Sequence, residues 1–552
     1  MRHFVLRFAA VLVAAPAISM LAVTSAAAQT ISRTIATTQP GPLAADSVET
    51  LRNALLPSPA SRGDLATLDR AYRLYHPGLA RYQTLAEWGA RVDSLDRWFA
   101  VPRSRGETYL ALSELVATIK DSHTYLNFWN QPKATRAWLS DGADKLPFTF
   151  TLDAGDRWVV TRSAAFTNGD VGDGDGDDDG RGPLLVMTGD TIVVINGTPT
   201  PALTQRMIAA TRADGGNDGK RRALIGFRHD HERETSDVLL PLLAPPVRGR
   251  YTLTVRRGRD TVIDVRASSA EQRNSVALPV AAPRPPFTVT QQGGVTVLTV
   301  DGFALSSAEG AAATWSTFLR ETFLGLQQRG ATSLVLDLRR NEGGSDDAAA
   351  LLLSYLITKP TVVPALRRYV IYDTVETALR PALQTWDKAF YDRRGSVRRE
   401  PDGTFTLLDR GAWPDSILPS PLAFRGRIAI LTSPVNSSAS HLMLRVLPRR
   451  PNITRIGTET GGSLFAHTGG NLFFLALRGT GLEADIPLIA YQWDDRNPRT
   501  GLPPDVPTGI DDAMTRALEL LGPVRGQESG STENVPPDTQ AFHPARRPDP
   551  LS

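Results

Sequence analysis

The chain contains no cysteine among its 552 residues. Disulfides, thiolate metal ligands, a lipid anchor on cysteine and a thiol nucleophile are all excluded by that absence. Excess charge is also lacking: 61 Lys and Arg stand against 58 Asp and Glu, a net +3, with no block of one sign. A nucleic-acid partner is therefore not expected. Long apolar runs are scarce, and the one at the N-terminus, Phe8 to Val23, is flanked by Arg2, His3 and Arg7 before it and by Ser25-Ala26-Ala27-Ala28 after it. Basic, apolar and small-residue segments in that order predict a secretory signal peptide over 1–28, cleaved after Ala28. No charged stop-transfer segment follows, so no membrane span is expected after signal cleavage, and the mature chain is expected to be periplasmic or extracellular. Export without disulfides leaves core size as the source of stability, which this length allows.

What is present is ordinary for a globular protein, with 41% hydrophobic and 22% charged residues, and the length suits roughly two to four domains. Residues 29–135 read as a helical N-terminal domain. Leu65, Leu68, Tyr72 and Tyr75 share a helix face, as do Leu112, Leu115, Val116 and Ile119, and His76-Pro77-Gly78 ends the first of these helices. Residues 145–270 read as short strands with Gly-rich turns. The run Gly189-Asp190 to Ile195, closed by Asn196-Gly197, resembles the "GD-x-I-x-x-I-N-G" strand and turn of a PDZ-like β-rich domain. Gly169 to Gly180 forms an acidic insert. Asp175, Asp177 and Asp179 have the spacing that opens a calcium loop, but Val186 stands where the closing Glu belongs, and a solvated loop is the expectation. Residues 285–522 follow a Pro-rich linker and alternate the strand-like runs Gly294–Val300, Ser333–Leu338, Arg427–Thr432 and Asn471–Leu477 with helix-like runs, the signature of an α/β layer with a mostly parallel sheet. The Pro-, Ser- and Gly-rich stretch 523–552 is expected to be a disordered tail.

Two places in the third region invite chemistry. Val335 to Arg339 reads as a buried strand, and Asn341-Glu342-Gly343-Gly344 follows before a helix; paired glycines let backbone N–H groups approach a ligand, although such turns are also common packing devices. Ile428 to Thr432 then delivers Asn436-Ser437-Ser438-Ala439-Ser440-His441 onto a helix N-terminus. A serine there is placed for nucleophilic attack beside amides that stabilise an oxyanion, and it is equally placed to cap the helix.

"LVLDLRRNEGG" followed about a hundred residues later by "SSASH" resembles the C-terminal processing (tail-specific) serine peptidases, and is more similar still to their tricorn core protease branch. The resemblance takes in "HPGLARY" at His76 and "LVATIKDSHTYL" around His123, and spans roughly residues 45–520 in the family's order. It implies a multidomain α/β protein whose peptidase domain has the crotonase/ClpP-like ββα fold. It implies Ser438 as nucleophile, with an oxyanion hole from the Ala439 amide and that of Gly343 or Gly344. It places His123 as general base, oriented by Ser122. The lysine of the processing branch is absent: Ser463 stands in its place within Gly457 to Ser463, and no lysine follows Lys388, so that branch's Ser-Lys dyad is excluded. An imidazole titrating near neutral pH suits the base without special tuning. His441, one helical turn past Ser438, and His467 in a Gly-flanked stretch are the rival imidazoles. The branch's acidic residue precedes a "G-V-x-P-D" stretch, matched here by Gly501 to Asp505. No Glu precedes it, and Asp494 and Asp495 are the nearest carboxylates.

The expected activity is hydrolysis of protein or peptide substrates by an exported serine peptidase, with no cofactor and no metal. A non-catalytic ligand-binding protein on the same fold, and an esterase-like hydrolase, are the alternatives.

Overall fold

The computed structural model describes residues 43–153, 155–165, 185–226, 234–277, 286–303, 311–409, 411, 413–493 and 501–522. The expected signal peptide, the acidic insert, Asp494, Asp495 and the expected tail lie outside the described residues. The architecture is mixed α/β, with three six-stranded sheets and packed helices.

The N-terminal part is helical because the sequence both starts and stops its helices. Thr84 with Glu87 and Ser104 with Glu107 form capping boxes that open the helices Leu85–Trp98 and Arg105–Ala117. The helix Ser58–Tyr75 stops at His76, whose extended backbone suits the residue before Pro77. Its Leu65, Leu68, Tyr72 and Tyr75 are buried. Tyr75 meets Tyr372 and Phe473 edge-on, at 5.0 and 5.8 Å between ring centres. The Tyr72 hydroxyl donates to the Asp485 carbonyl at 2.9 Å. This helix is thereby joined to segments some 400 residues further along the chain.

An antiparallel sheet follows, in the order Phe148–Leu152, Trp158–Ser163, Thr191–Ile195, Arg250–Arg257, Arg259–Arg266. The predicted turn after Ile195 is real: Asn196 and Gly197 have φ of 47° and 79°, values that Asn and Gly tolerate best. Asp190 takes a two-pronged ion pair from Arg257 at 2.5 and 2.6 Å, which fixes the entry to that strand. The helices α1 (Thr200–Ala210) and α2 (Asp218–Ile225) follow Thr191–Ile195 in the chain.

The central sheet is built on four parallel strands, β1 (Val295–Val300), β2 (Ser333–Asp337), β3 (Arg427–Thr432) and β4 (Ile453–Gly457). Phe287–Gln292 adds an antiparallel edge and Val506–Pro507 a parallel one. Strand alternation sorts its side chains. Leu298, Leu334, Leu336, Ile428 and Ile430 face a core shared with the helices α3 (Asp346–Leu356) and α4 (Ser438–Val446). Val295, Val297, Val335, Ala429 and Leu431 face the helix Ala513–Leu521 on the other side. Burial on both faces explains why these strands read as unbroken apolar runs.

A long hairpin, β5 (Ala466–Leu477) with β6 (Leu482–Trp493), organises the third, antiparallel sheet. The stretch Asn471 to Leu477, which the sequence suggests as another strand of the parallel layer, belongs here instead. The register of the hairpin shifts between Gly469 and Leu472. Among the described residues no helix is long and apolar enough to cross a membrane.

Candidate active site

The loops that follow β2 and β3 leave the sheet side by side at its carboxyl end, where open parallel sheets present their ligand sites. Asn436 ties them together. Its Nδ2 donates to the carbonyls of Leu338 and Asn341 at 2.6 and 2.9 Å, while its Oδ1 accepts from the Ser433 amide at 2.8 Å. The Ser440 hydroxyl adds a bond to the Asn341 carbonyl at 2.9 Å.

Ser438 sits at the apex of the second loop with φ +52°. A left-handed conformation in a residue other than glycine costs about 1–3 kcal/mol, and it persists where surroundings enforce it. Ser437 stands at the helix N-cap position with no side-chain capping bond; its hydroxyl donates to the Glu342 carbonyl at 3.1 Å. No hydrogen bond among the described residues engages the Ser438 hydroxyl. The strand-to-helix turn thus projects a half-buried hydroxyl, the geometry of a nucleophile elbow.

Gly343 packs directly against this turn. A Cβ there would lie 2.8 Å from the Ser437 carbonyl oxygen, 2.8 Å from the Ser438 Cβ and 3.1 Å from the Ala439 nitrogen. The Gly343 amide donates to Asn341 Oδ1 at 2.9 Å, and its carbonyl accepts from the Phe303 amide at 2.8 Å. The Ser345 amide donates to the Phe303 carbonyl at 3.0 Å, making Gly344 the partner of Phe303 in a parallel bridge. In such a bridge the paired residue's own N–H points away from its partner. The Gly344 amide, rather than that of Gly343, is therefore the one left to turn toward a ligand.

Ser122 and His123 form a tight turn after the helix Arg105–Ala117. Ser122 is held by Asp214, which accepts from its amide at 3.0 Å and its hydroxyl at 2.8 Å. The His123 amide donates to Asp121 Oδ1 at 2.9 Å. Asp121 also accepts from Thr124, from Thr468 on β5 and, at 3.4 Å, from Arg81. The "HPGLARY" stretch is thus bonded to the turn through Arg81. His76 joins it too: its Nδ1 accepts from the Gly78 amide at 3.0 Å, so its Nε2–H donates to Thr124 at 2.6 Å. Burial lowers His76 to about 4, so its ring is neutral at pH 7. The His123 ring lies beside the chain at Gly469, where a Cβ would be 3.7 Å from its Cε1, and its buried Nδ1 has no hydrogen-bond partner among the described residues.

Two carboxylates flank His123 and titrate in opposite directions. Burial raises Asp214, and the like charge of Asp121 adds to that. Burial would raise Asp121 as well, but His76, Arg81, His123 and the Thr468 hydroxyl outweigh it and hold it below its usual range. His123 itself is lowered by burial against the pull of both carboxylates.

The rival imidazoles have other work. Each His441 nitrogen is engaged, Nδ1 with the Thr460 hydroxyl at 2.8 Å and Nε2 with the Ser463 carbonyl at 3.2 Å, and burial lowers the ring to about 4. His467 stacks on Tyr491 at 4.8 Å in the hairpin. Ser463, at the position of the missing lysine, is buried beside Tyr82 at 3.3 Å.

The sequence pattern did not reveal the contribution of the segment between α1 and α2. Arg212 donates to the Ser122 carbonyl at 2.7 Å and reaches Glu342 at 3.3 Å, while Asp214 from the same segment and Lys220 from α2 meet Ser122. These residues lie about ninety positions from Ser122 and more than two hundred from Ser437, so no spacing rule links them. Among the described residues no group of three or more His, Cys, Asp or Glu is arranged to hold a metal ion.

A sharp serine turn at the carboxyl end of a parallel sheet, joined to the Ser122-His123 turn through Lys220, which reaches both the Ser122 and the Ser437 hydroxyls, is compatible with a serine-type peptidase. Residues 257–507 match the model of peptidase family S41. Among solved structures, mature CPAF complexed with lactacystin is 14% identical, with 84% of this chain and 97% of that one covered at a TM-score of 0.52; the two share the fold. The photosystem II D1 C-terminal processing protease is 14% identical over 84% of this chain and 97% of that one, with a TM-score of 0.37. The tricorn protease is 13% identical over 83% of this chain and 35% of that one, with a TM-score of 0.29. No curated protein matches the chain.

Proposed function

We propose that the chain is an exported serine endopeptidase that hydrolyses peptide bonds through an acyl-enzyme on Ser438. The observation that carries this reading is the Ser438 turn: left-handed backbone, a hydroxyl outside the bonds among the described residues, and a glycine pressed against it where no Cβ fits. His123 takes the Ser438 proton as the hydroxyl oxygen attacks the scissile carbonyl. The developing oxyanion rests on the Ala439 and Gly344 amides, and His123 then gives its proton to the leaving amine. Water, deprotonated by the same imidazole, cleaves the ester.

Ser122 and Asp214 orient the base turn. Asp214→Asn is expected to lower kcat by about 10- to 100-fold, as measured by peptide hydrolysis. Asp494→Asn and Asp495→Asn belong beside it, and a larger loss in either would reassign the acidic role. The sheet spanning Phe148 to Arg266 is assigned as a PDZ-like unit on the strength of its Gly189-Asp190 entry and Asn196-Gly197 turn. Its edge strand Arg259–Arg266 offers a surface for substrate ends by strand addition. Export rests on the basic, apolar and small-residue segments of 1–28.

Labelling with a fluorophosphonate tests the nucleophile. Mass spectrometry of the tryptic peptide Ile428 to Arg445 is expected to place the adduct on Ser438; an adduct on Ser437 or Ser440, or an unlabelled protein, would overturn the assignment.

A further inference from the structure

Lys220 has a fully buried side chain, yet it belongs to α2, outside the matched peptidase segment 257–507. Its Nζ lies 2.7 Å from the Ser437 hydroxyl, 3.4 Å from the Ser122 hydroxyl and 3.4 Å from Glu342 Oε1. An ammonium has three N–H donors, and here three acceptors come from three different loops. Ser122 precedes the base, Ser437 precedes the nucleophile, and Glu342 precedes the Gly343-Gly344 turn. Burying such a charge costs several kcal/mol unless partners compensate, so a surface loop would not hold it by chance.

The stem is prepared for this position. Asn217 caps α2 by accepting from the Lys220 amide at 3.0 Å, and its Nδ2 donates to the Thr460 carbonyl at 2.8 Å. Gly461 leaves the passage open: a Cβ there would stand 2.9 Å from Lys220 Cδ. Ser437 passes the restraint on, because the hydroxyl that accepts from Lys220 donates to the Glu342 carbonyl.

We propose that Lys220 is a positioning residue for the hydrolysis, its ammonium locking the base turn, the nucleophile turn and the oxyanion turn in one register from outside the peptidase domain. This rests on Ser438 and His123 as the reacting pair. The same cation also bears on the base. The charged and titratable groups around His123 are Asp121 and Asp214, which raise it, and Lys220 and Arg212, which lower it, with His467 on β5 interacting as well. Deleting the Lys220 charge removes one of the lowering influences.

The test uses the full chain, with the fluorophosphonate labelling rate measured against pH for wild type, Lys220→Met and Lys220→Arg. Lys220→Met is expected to label about 10- to 100-fold more slowly, because displacements of this kind at a reacting centre cost up to about that much. Its acid limb is expected to move to higher pH, an effect that loss of packing alone does not produce. Lys220→Arg, which keeps the charge, is expected to restore the acid limb. A folded Lys220→Met protein with the wild-type rate and acid limb overturns the proposal. Should Lys220→Met fail to fold, Ser437→Ala deletes one acceptor and leaves the lysine in place. It is expected to slow labelling about 10-fold, and a wild-type rate there overturns the proposal as well. Wild-type protein that takes no label defeats the Ser438 reading itself, whereas normal labelling with indifferent Lys220 variants defeats only this inference.

Discussion

Ser438→Ala and His123→Ala are each expected to lower hydrolysis of casein by about 10⁴- to 10⁶-fold, with the double variant no worse than the poorer single one. In the proposed mechanism nucleophile and base act as a unit, so removing either removes the covalent route, and what remains is binding plus the proposed oxyanion amides. Steady-state rates on purified variants, with circular dichroism to establish folding, decide the matter. A loss in Ser438→Ala below about 10-fold would place the reaction elsewhere. His441→Ala gives the contrast: both of that ring's nitrogens are already engaged, so its substitution is expected to reduce stability more than chemistry. The pH dependence follows from His123. Burial holds it below its ordinary 6.5, and a base must be unprotonated to act. Activity is therefore expected to persist as pH falls through 6.5 and to fail only below it, along a limb that tracks a single ionisation.

Gly343→Ala is expected to lower kcat by about 10²- to 10³-fold, the scale of losing an oxyanion donor, although a methyl group is all that is added. At φ +115° the backbone of residue 343 lies in a region that side chains rarely adopt. The new Cβ would also stand 2.8 Å from Ser438 Cβ and 3.1 Å from the Ala439 nitrogen. Something must shift, and its neighbours are the proposed nucleophile and the proposed oxyanion amide themselves. Stopped-flow acylation by an activated ester measures the loss. Gly330→Ala is the control: that glycine also has positive φ, at 61°, but no atom lies within 4 Å of a Cβ there. Acylation by Gly343→Ala no slower than by Gly330→Ala would remove Gly343 from the site.

Much of this architecture was legible because its causes are local. The buried strands β2 and β3 announce themselves as apolar runs, and β3 spans Arg427–Thr432 as its pattern indicates. The Gly343-Gly344 and Ser437-Ser438 turns are visible as glycine and serine pairs between a strand and a helix. The pattern of Asn471 to Leu477 suggests a strand of the alternating α/β layer, because a single strand does not reveal its partner. Its place in the β5–β6 hairpin follows from pairing with Leu482–Trp493, and Phe473 is buried against Tyr75 far upstream.

By itself, then, the sequence determined the helices, the parallel layer and the two turns that follow its strands β2 and β3. Periodicity, caps and glycine positions act over a few residues and need no knowledge of the rest. Only the tertiary structure decided which Gly-Gly amide is left unpaired, which imidazoles are already engaged, and that Asp214 and Lys220 reach the base turn. Those outcomes depend on burial and on hydrogen bonds between residues up to 98 positions apart, and such distances leave no spacing to read.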